Sequence, residues 1–212
     1  MSNGQKDKRL FVSTIILVVV HVAGIIGIQT EYKDLFLLCT PLNLLLSIGL
    51  LFWNHTDFSK SFFIFSILTF LAGYFIEVIG VKSGIIFGHY SYGKTLGFKT
   101  LDVPVIIGIN WLMLIYIVGV ICNRFNFSSL IKSLFGALFL TTMDFFIEVV
   151  AIKYDFWKWA NYTPPTQNFI AWFIVSFLLL LLFNTMNFNK NNKLAQGLFI
   201  LQLIFFVTLS FL

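Results

Sequence analysis

Long apolar runs, separated by short polar segments, make up most of the chain. A helix needs about 20 mostly apolar residues to cross a bilayer, and seven runs approach that length. They predict transmembrane helices at residues 10–28, 35–53, 62–81, 103–122, 130–152, 169–186 and 194–212. The predicted fold class is an all-α polytopic membrane helical bundle of about seven transmembrane helices, and we expect one integral membrane domain over residues 1–212.

The composition supports a membrane protein. Hydrophobic residues make up 58% of the chain and charged residues only 11%, whereas about 25% of the residues in a soluble domain are charged. The net charge of +5 comes from scattered Lys and Arg, which favours contact with lipid headgroups over nucleic acid. We expect a multi-pass protein of a bacterial cytoplasmic membrane, with the lipid bilayer as a partner and no nucleic-acid partner.

Two connections between the predicted helices, at residues 82–102 and 153–168, are longer than the rest and rich in aromatic residues. Aromatic side chains are common anchors at a membrane interface. The even number of predicted helices between the two loops places both on the same side of the membrane.

A short phrase occurs twice in the chain. FIEVIGVK at 75–82 recurs as FIEVVAIK at 146–153, which aligns Glu77 with Glu148. Each phrase is followed by an aromatic loop, a proline and a helix with an early tryptophan. We therefore expect a duplicated helix–loop–helix unit, and chance similarity between two apolar helices is the alternative. The repeat units cover about residues 62–122 and 130–186.

Three carboxylates lie within the predicted spans. Glu77 and Glu148 each lie about one turn from the end of a span, and Asp144 lies one turn before Glu148 on the same helical face. A charge in an apolar span is costly and marks a candidate functional site. Two neighbouring carboxyl groups suit one neutral acid and one anion, as in acid–base catalysis.

Other interpretations of these acids remain open. Each acid could instead reach the interface or bond to a neighbouring helix. A magnesium site for a diphosphate substrate is less favoured, because only Asp144 and Glu148 form a pair and the two long loops lack arginine.

Four stretches between residues 62 and 175 carry a specific pattern: GYFIEVIGVKSGIIFGHYSYGKTLG, DVPVIIGINWLMLIY, DFFIEVVAIKYDFWKW and NYTPPTQNFIAW. In order and spacing they resemble the carotenoid biosynthesis family of membrane proteins, of the carotenoid 1,2-hydratase type. That family is related to the membrane-embedded lycopene cyclases. One position departs from the pattern, because Val149 follows Glu148 where family members often have proline.

The resemblance implies a hydratase, a carbon–oxygen lyase that adds water to the terminal C=C of an acyclic ψ-end of a carotenoid such as γ-carotene or lycopene. An acid would protonate the alkene to a tertiary carbocation, which water would capture without a cofactor. A cyclase would share the first step, exclude water and close a ring. A non-catalytic membrane transporter or scaffold is a further alternative. Expected partners are the carotenoid and water, and other carotenoid-pathway enzymes are candidates.

The resemblance also supplies the candidate site. The catalytic candidates are Glu77, Asp144 and Glu148, and no metal ligand is expected. Aromatic faces could stabilise a carbocation by about 2 kcal/mol each when desolvated. The substrate-binding candidates are aromatic and polar residues of the two loops and the helices that follow them: Tyr90, Tyr92, Asn110, Trp111, Asp155, Trp157, Trp159, Asn168 and Trp172.

Overall fold

Seven apolar helices and one short connecting helix form the protein between residues 3 and 212, the part that this computed structural model describes. The helices are α1 (Asn3–Ile28), α2 (Lys33–Leu38), α3 (Thr40–Trp53), α4 (Lys60–Ser83), α5 (Ile106–Cys122), α6 (Ser129–Lys153), α7 (Thr166–Thr185) and α8 (Lys193–Phe211). The strands are β1 (Tyr90–Tyr92), β2 (Lys99–Thr100), β3 (Val103–Pro104) and β4 (Trp157–Trp159).

The helix lengths confirm the predicted all-α membrane bundle. Five helices are long and apolar enough to cross a membrane, namely α1, α4, α6, α7 and α8. The apolar helices α3 and α5 are shorter, with 14 and 17 residues. These seven helices correspond one to one with the seven predicted spans.

The second predicted span is not one continuous helix. It was expected to run from 35 to 53, but α2 ends at Leu38 and α3 begins at Thr40. Pro41 lies in the first turn of α3. Proline has no N–H group and its ring clashes with the preceding helical turn, so it is tolerated at the start of a helix but disrupts the interior. The break at Cys39 follows from this proline.

The helix α5 lies at the centre of the bundle. Most of its side chains are buried, and it packs against α3, α4, α6, α7 and α8. The outer helices instead expose apolar side chains, such as Phe63, Ile67 and Leu71 at four-residue intervals along α4. This distribution suits a bundle whose outer surface contacts lipid.

The two long loops meet at one end of the bundle, as predicted. Strand β1 of the first loop pairs antiparallel with β4 of the second, with Ser91 opposite Lys158. Backbone hydrogen bonds extend the pairing at both ends, from Gly93 N to Phe156 O at 2.8 Å and from Ala160 N to His89 O at 2.9 Å. We call the β1–β4 pair the loop ribbon. It joins the chain that follows α4 to the chain that follows α6.

Gly73 allows α4 to pack closely on α5, and a substitution can test this contact. A Cβ added at Gly73 would lie 2.4 Å from the Cβ of Trp111, an atom fixed to the α5 backbone. We expect Gly73→Ala to force the helices apart and to lower the midpoint of thermal unfolding in detergent, since overpacking costs about 1–3 kcal/mol.

The matched control is Gly49→Ala in α3, where an added Cβ meets no atom within 4 Å. Alanine is preferred to glycine within a helix, so this midpoint should stay unchanged or rise. Equal midpoints for the two variants would contradict the tight contact at Gly73.

Candidate functional site

Glu77 is buried near the end of α4 and is held by three neutral donors. Trp111 Nε1 donates to Oε1 at 3.0 Å, Tyr92 Oη donates to Oε2 at 2.8 Å, and the Tyr90 hydroxyl also donates to Oε2. Both carboxyl oxygens are therefore satisfied. The donors come from β1 and from α5, so the carboxyl group ties the first loop to the centre of the bundle.

Glu148 of α6 is held in a similar way by the second loop. Trp157 Nε1 and Trp159 Nε1 donate to Oε2 at 3.0 and 2.7 Å. Asn168 Nδ2, at the start of α7, donates to Oε1 at 3.2 Å. Each strand of the loop ribbon thus supplies two aromatic donors to the glutamate of the helix that precedes it.

Asp144 lies one turn deeper than Glu148 and is fully buried. Asn168 Nδ2 donates to Asp144 Oδ2 at 2.9 Å as well as to Glu148, so one amide bridges two carboxyl groups. Among the described residues, Asp144 Oδ1 has no hydrogen-bond partner. Asp144 and Glu148 therefore form a dyad that is bridged by a neutral side chain.

The lysines nearest to these acids in sequence do not neutralise them. Lys82 pairs with Asp102 at 2.6 Å on the surface, an ion pair that holds the pKa of Asp102 below its ordinary value. Lys153 lies over the ring of Tyr154, 5.6 Å from the centroid. Neutral N–H and O–H groups are the partners of the buried acids.

A cavity of about 30 Å³ lies between α4, α5, α6, α7 and the loop ribbon. This space is enough for one or two water molecules. Aromatic rings form much of the wall: the stacked rings of Trp111 and Trp172 lie 4.3 Å apart and the tilted rings of Tyr90 and Trp159 lie 5.0 Å apart, between centroids. The lining residues are Glu77, Phe87, Tyr90, Tyr92, Ile107, Asn110, Trp111, Ile147, Glu148, Trp157, Trp159, Asn168 and Trp172.

The sequence of the loop ribbon explains its aromatic inner face. Successive side chains of a strand point to opposite faces, so YSY and WKW place their rings on one face and expose Ser91 and Lys158 on the other. Burial, together with the Glu77 carboxylate, raises the pKa of Tyr90 and of Tyr92. Both hydroxyl groups therefore keep their protons and remain donors.

The cavity includes all of the predicted site residues except Asp144 and Asp155. Asp144 lies behind the lining and reaches it through Asn168. Asp155 does not line the cavity. Its backbone turns with φ of 56°, and its side chain is 51% exposed and pairs with Lys158 at 3.1 Å.

Three apolar lining residues were not predicted. Ile107 follows Pro104 by three residues, as Asn168 follows Pro165, so alignment of the two units could have identified it. Nothing in the sequence distinguishes Phe87 and Ile147 from many other apolar residues. Within residues 3–212, no group of three or more His, Cys, Asp or Glu side chains is arranged to hold a metal ion.

Comparison with known proteins gives the family. The sequence model of the carotenoid biosynthesis proteins matches residues 38–212, which is most of the chain and contains every residue of the cavity. The chain belongs to the carotenoid biosynthesis protein family. The resemblance seen in the sequence is thus confirmed. No curated protein and no solved structure matches the chain significantly.

The loop ribbon can be tested by cross-linking. Ser91 and Lys158 are opposite each other and exposed, and Cβ atoms of such pairs are about 4.5–5.5 Å apart, close to the spacing that a disulfide requires. In a background of Cys39→Ser and Cys122→Ala, the pair Ser91→Cys and Lys158→Cys should form a disulfide under mild oxidation, detected as a loss of two hydrogens in the intact mass.

The control pair combines Ser91→Cys with Asn161→Cys, which lies three residues out of register. We expect much less disulfide in this pair under the same conditions. Equal yields from both pairs would show that the strands do not hold this register.

Proposed function

We propose that this member of the family is a carotenoid 1,2-hydratase, a carbon–oxygen lyase that adds water to the terminal C=C of an acyclic ψ-end. A role in carotenoid biosynthesis follows from the family. The reaction is inferred from one arrangement: two buried glutamates, Glu77 and Glu148, line a single water-sized cavity with aromatic walls.

The dyad of Asp144 and Glu148 is suited to supply the proton. Two carboxyl groups bridged by one amide in an apolar bundle repel each other when both are charged, which favours one shared proton. Only Glu148 of the two lines the cavity. We assign it as the general acid, which donates its proton to the CH carbon of the alkene and leaves a tertiary carbocation.

Glu77 is suited to handle water. Its three donors fix the carboxyl group at the cavity wall. In the proposed cycle a cavity water forms the C–O bond to the carbocation and gives its proton to Glu77. That proton returns to Glu148 through cavity water, so one water is consumed and no cofactor is required.

The aromatic walls of the cavity suit the proposed carbocation intermediate. The stacked rings of Trp111 and Trp172 and the rings of Tyr90 and Trp159 offer π faces, which attract a cation by about 2 kcal/mol or more when desolvated. A cyclase would need to exclude water at this stage. A small cavity lined by carboxyl, hydroxyl and amide groups instead suits bound water, and this favours hydration.

We also infer the setting of the reaction. The apolar helices indicate a membrane protein, and we propose the bacterial cytoplasmic membrane, with other carotenoid-pathway enzymes as candidate partners. We further propose that α4–α5 and α6–α7 are copies of one unit, covering about residues 62–122 and 130–186. The aligned positions of Glu77 and Glu148, each bonded to two aromatic donors of the strand that follows its helix, support that duplication.

Product mass tests the reaction. Expressed in a host that makes lycopene or γ-carotene, the protein should yield a carotenoid that is heavier by one water and carries a tertiary hydroxyl. A product of unchanged mass with a ring would identify a cyclase. Unchanged carotenoid, in cells where the protein is inserted in the membrane, would contradict both enzymes and favour a transporter or scaffold.

Neutral variants test the two glutamates. We expect Glu77→Gln and Glu148→Gln each to lower hydration at least about a hundredfold, since a positioned acid or base contributes about 10²–10⁴-fold. Asp102→Asn is the control, because Asp102 lies on the surface, paired with Lys82. The measurement is the ratio of hydrated to unmodified carotenoid at equal protein level. Full turnover in both glutamine variants would rule out this assignment.

A further inference from the structure

A second hollow lies beside the cavity, on the outer side of the seam between α6 and α7. It has a volume of about 340 Å³ and is mainly apolar. From α6 it is lined by Phe145, Val149 and Ile152, and from the α7 side by Pro164 and Phe169. We call it the seam groove. The three α6 side chains are 55%, 40% and 37% exposed, so the groove opens on the surface that faces lipid.

Glu148 lines both the seam groove and the cavity. Its neighbours divide between the two spaces, with Ile147 in the cavity and Val149 in the groove. On α7, Asn168 lines the cavity and Phe169 the groove. The 3.2 Å hydrogen bond from Asn168 to Glu148 crosses the seam. Glu148 therefore lies between a water-sized space and a lipid-facing groove and lines both.

We propose that the seam groove binds the isoprenoid chain of the substrate and presents its terminal C=C to Glu148 from the bilayer. This inference rests on the proposed function and names the route and the subsite that it requires. The cavity has room for one or two waters, and a branched five-carbon end is several times larger than a water. The alkene therefore approaches Glu148 from the groove side, and its terminal carbons reach the edge of the cavity, where the water and the aromatic rings lie.

The chemistry of the groove fits a long apolar chain. Phe145 and Phe169 lie with ring centroids 6.1 Å apart, and Glu148 is the one charged residue in its lining. Another lipid-facing groove, lined by residues such as Phe127, Phe135 and Lys132, contains no acid. An apolar groove that ends at a buried carboxyl group combines the two properties that protonation of a bilayer-dissolved alkene needs.

Retention of lycopene during purification tests the groove without relying on catalysis. In lycopene-producing cells, wild-type protein isolated in mild detergent should carry lycopene or its hydrated product, measured together as carotenoid absorbance per protein. Val149→Trp should fill the groove and lower this ratio about tenfold, the loss expected from a modest steric clash. Ile152→Trp provides a second, independent block. Leu138→Trp is the matched control, since Leu138 lies on nearly the same face of α6, about three turns away and outside the groove.

The results of this experiment distinguish carotenoid binding in the seam groove from the proposed hydration reaction. Loss of bound carotenoid in both groove variants, with retention in Leu138→Trp, supports the inference. Retention in Val149→Trp and Ile152→Trp at the wild-type ratio overturns it, as does a wild-type protein that carries neither lycopene nor hydrated product. If wild-type protein retains lycopene but forms no hydrated product, the proposed reaction fails, and the two tryptophan variants still decide the groove.

Discussion

The site depends on one constraint: three carboxyl groups are buried in an apolar bundle without a cation beside them. An unpaired carboxyl group in such surroundings is costly, and hydrogen bonds from neutral donors offset that cost. Glu77 and Glu148 each receive three such bonds. Aromatic residues supply most of the donors, because indole N–H and phenol O–H groups combine a polar tip with an apolar body. The aromatic density of the two loops follows from this need.

The loop ribbon supplies hydrogen-bond donors to both buried glutamates. Tyr90 and Tyr92 satisfy Glu77, while Trp157 and Trp159 satisfy Glu148. Pairing of β1 with β4 places these rings side by side. The two glutamates are thereby brought to one cavity, although 71 positions separate them in the chain. A three-residue strand is too short to be stable alone, so the ribbon depends on the buried carboxyl groups as much as they depend on it.

Much of this could be predicted from sequence, for identifiable reasons. Apolar runs of about 20 residues indicate membrane-spanning helices, and an acidic residue stands out within such a run. The helical bundle and the three buried carboxyl groups could therefore be predicted from the sequence. The break at Cys39 could have been predicted from Pro41, but the continuous apolar run around it favoured a single helix. Asp155 lies outside the cavity lining because its backbone turns and its side chain pairs with Lys158 at the surface, which its sequence position does not report. The strand pairing and the seam groove depend on how distant segments pack, which one sequence does not report.

The two units differ where the chemistry requires a difference. Gly73 stands four residues before Glu77, and the space it leaves admits Trp111, which donates to that glutamate. At the corresponding position before Glu148 stands Asp144, so an amide from Asn168 takes the place of an indole and bridges two acids. One unit thus holds a single carboxyl group among fixed donors, and the other holds a dyad that can share a proton. The proposed hydration must both give a proton to carbon and remove one from water, which needs these two unlike environments, and the proposed duplication followed by divergence at position 73 or 144 would provide them.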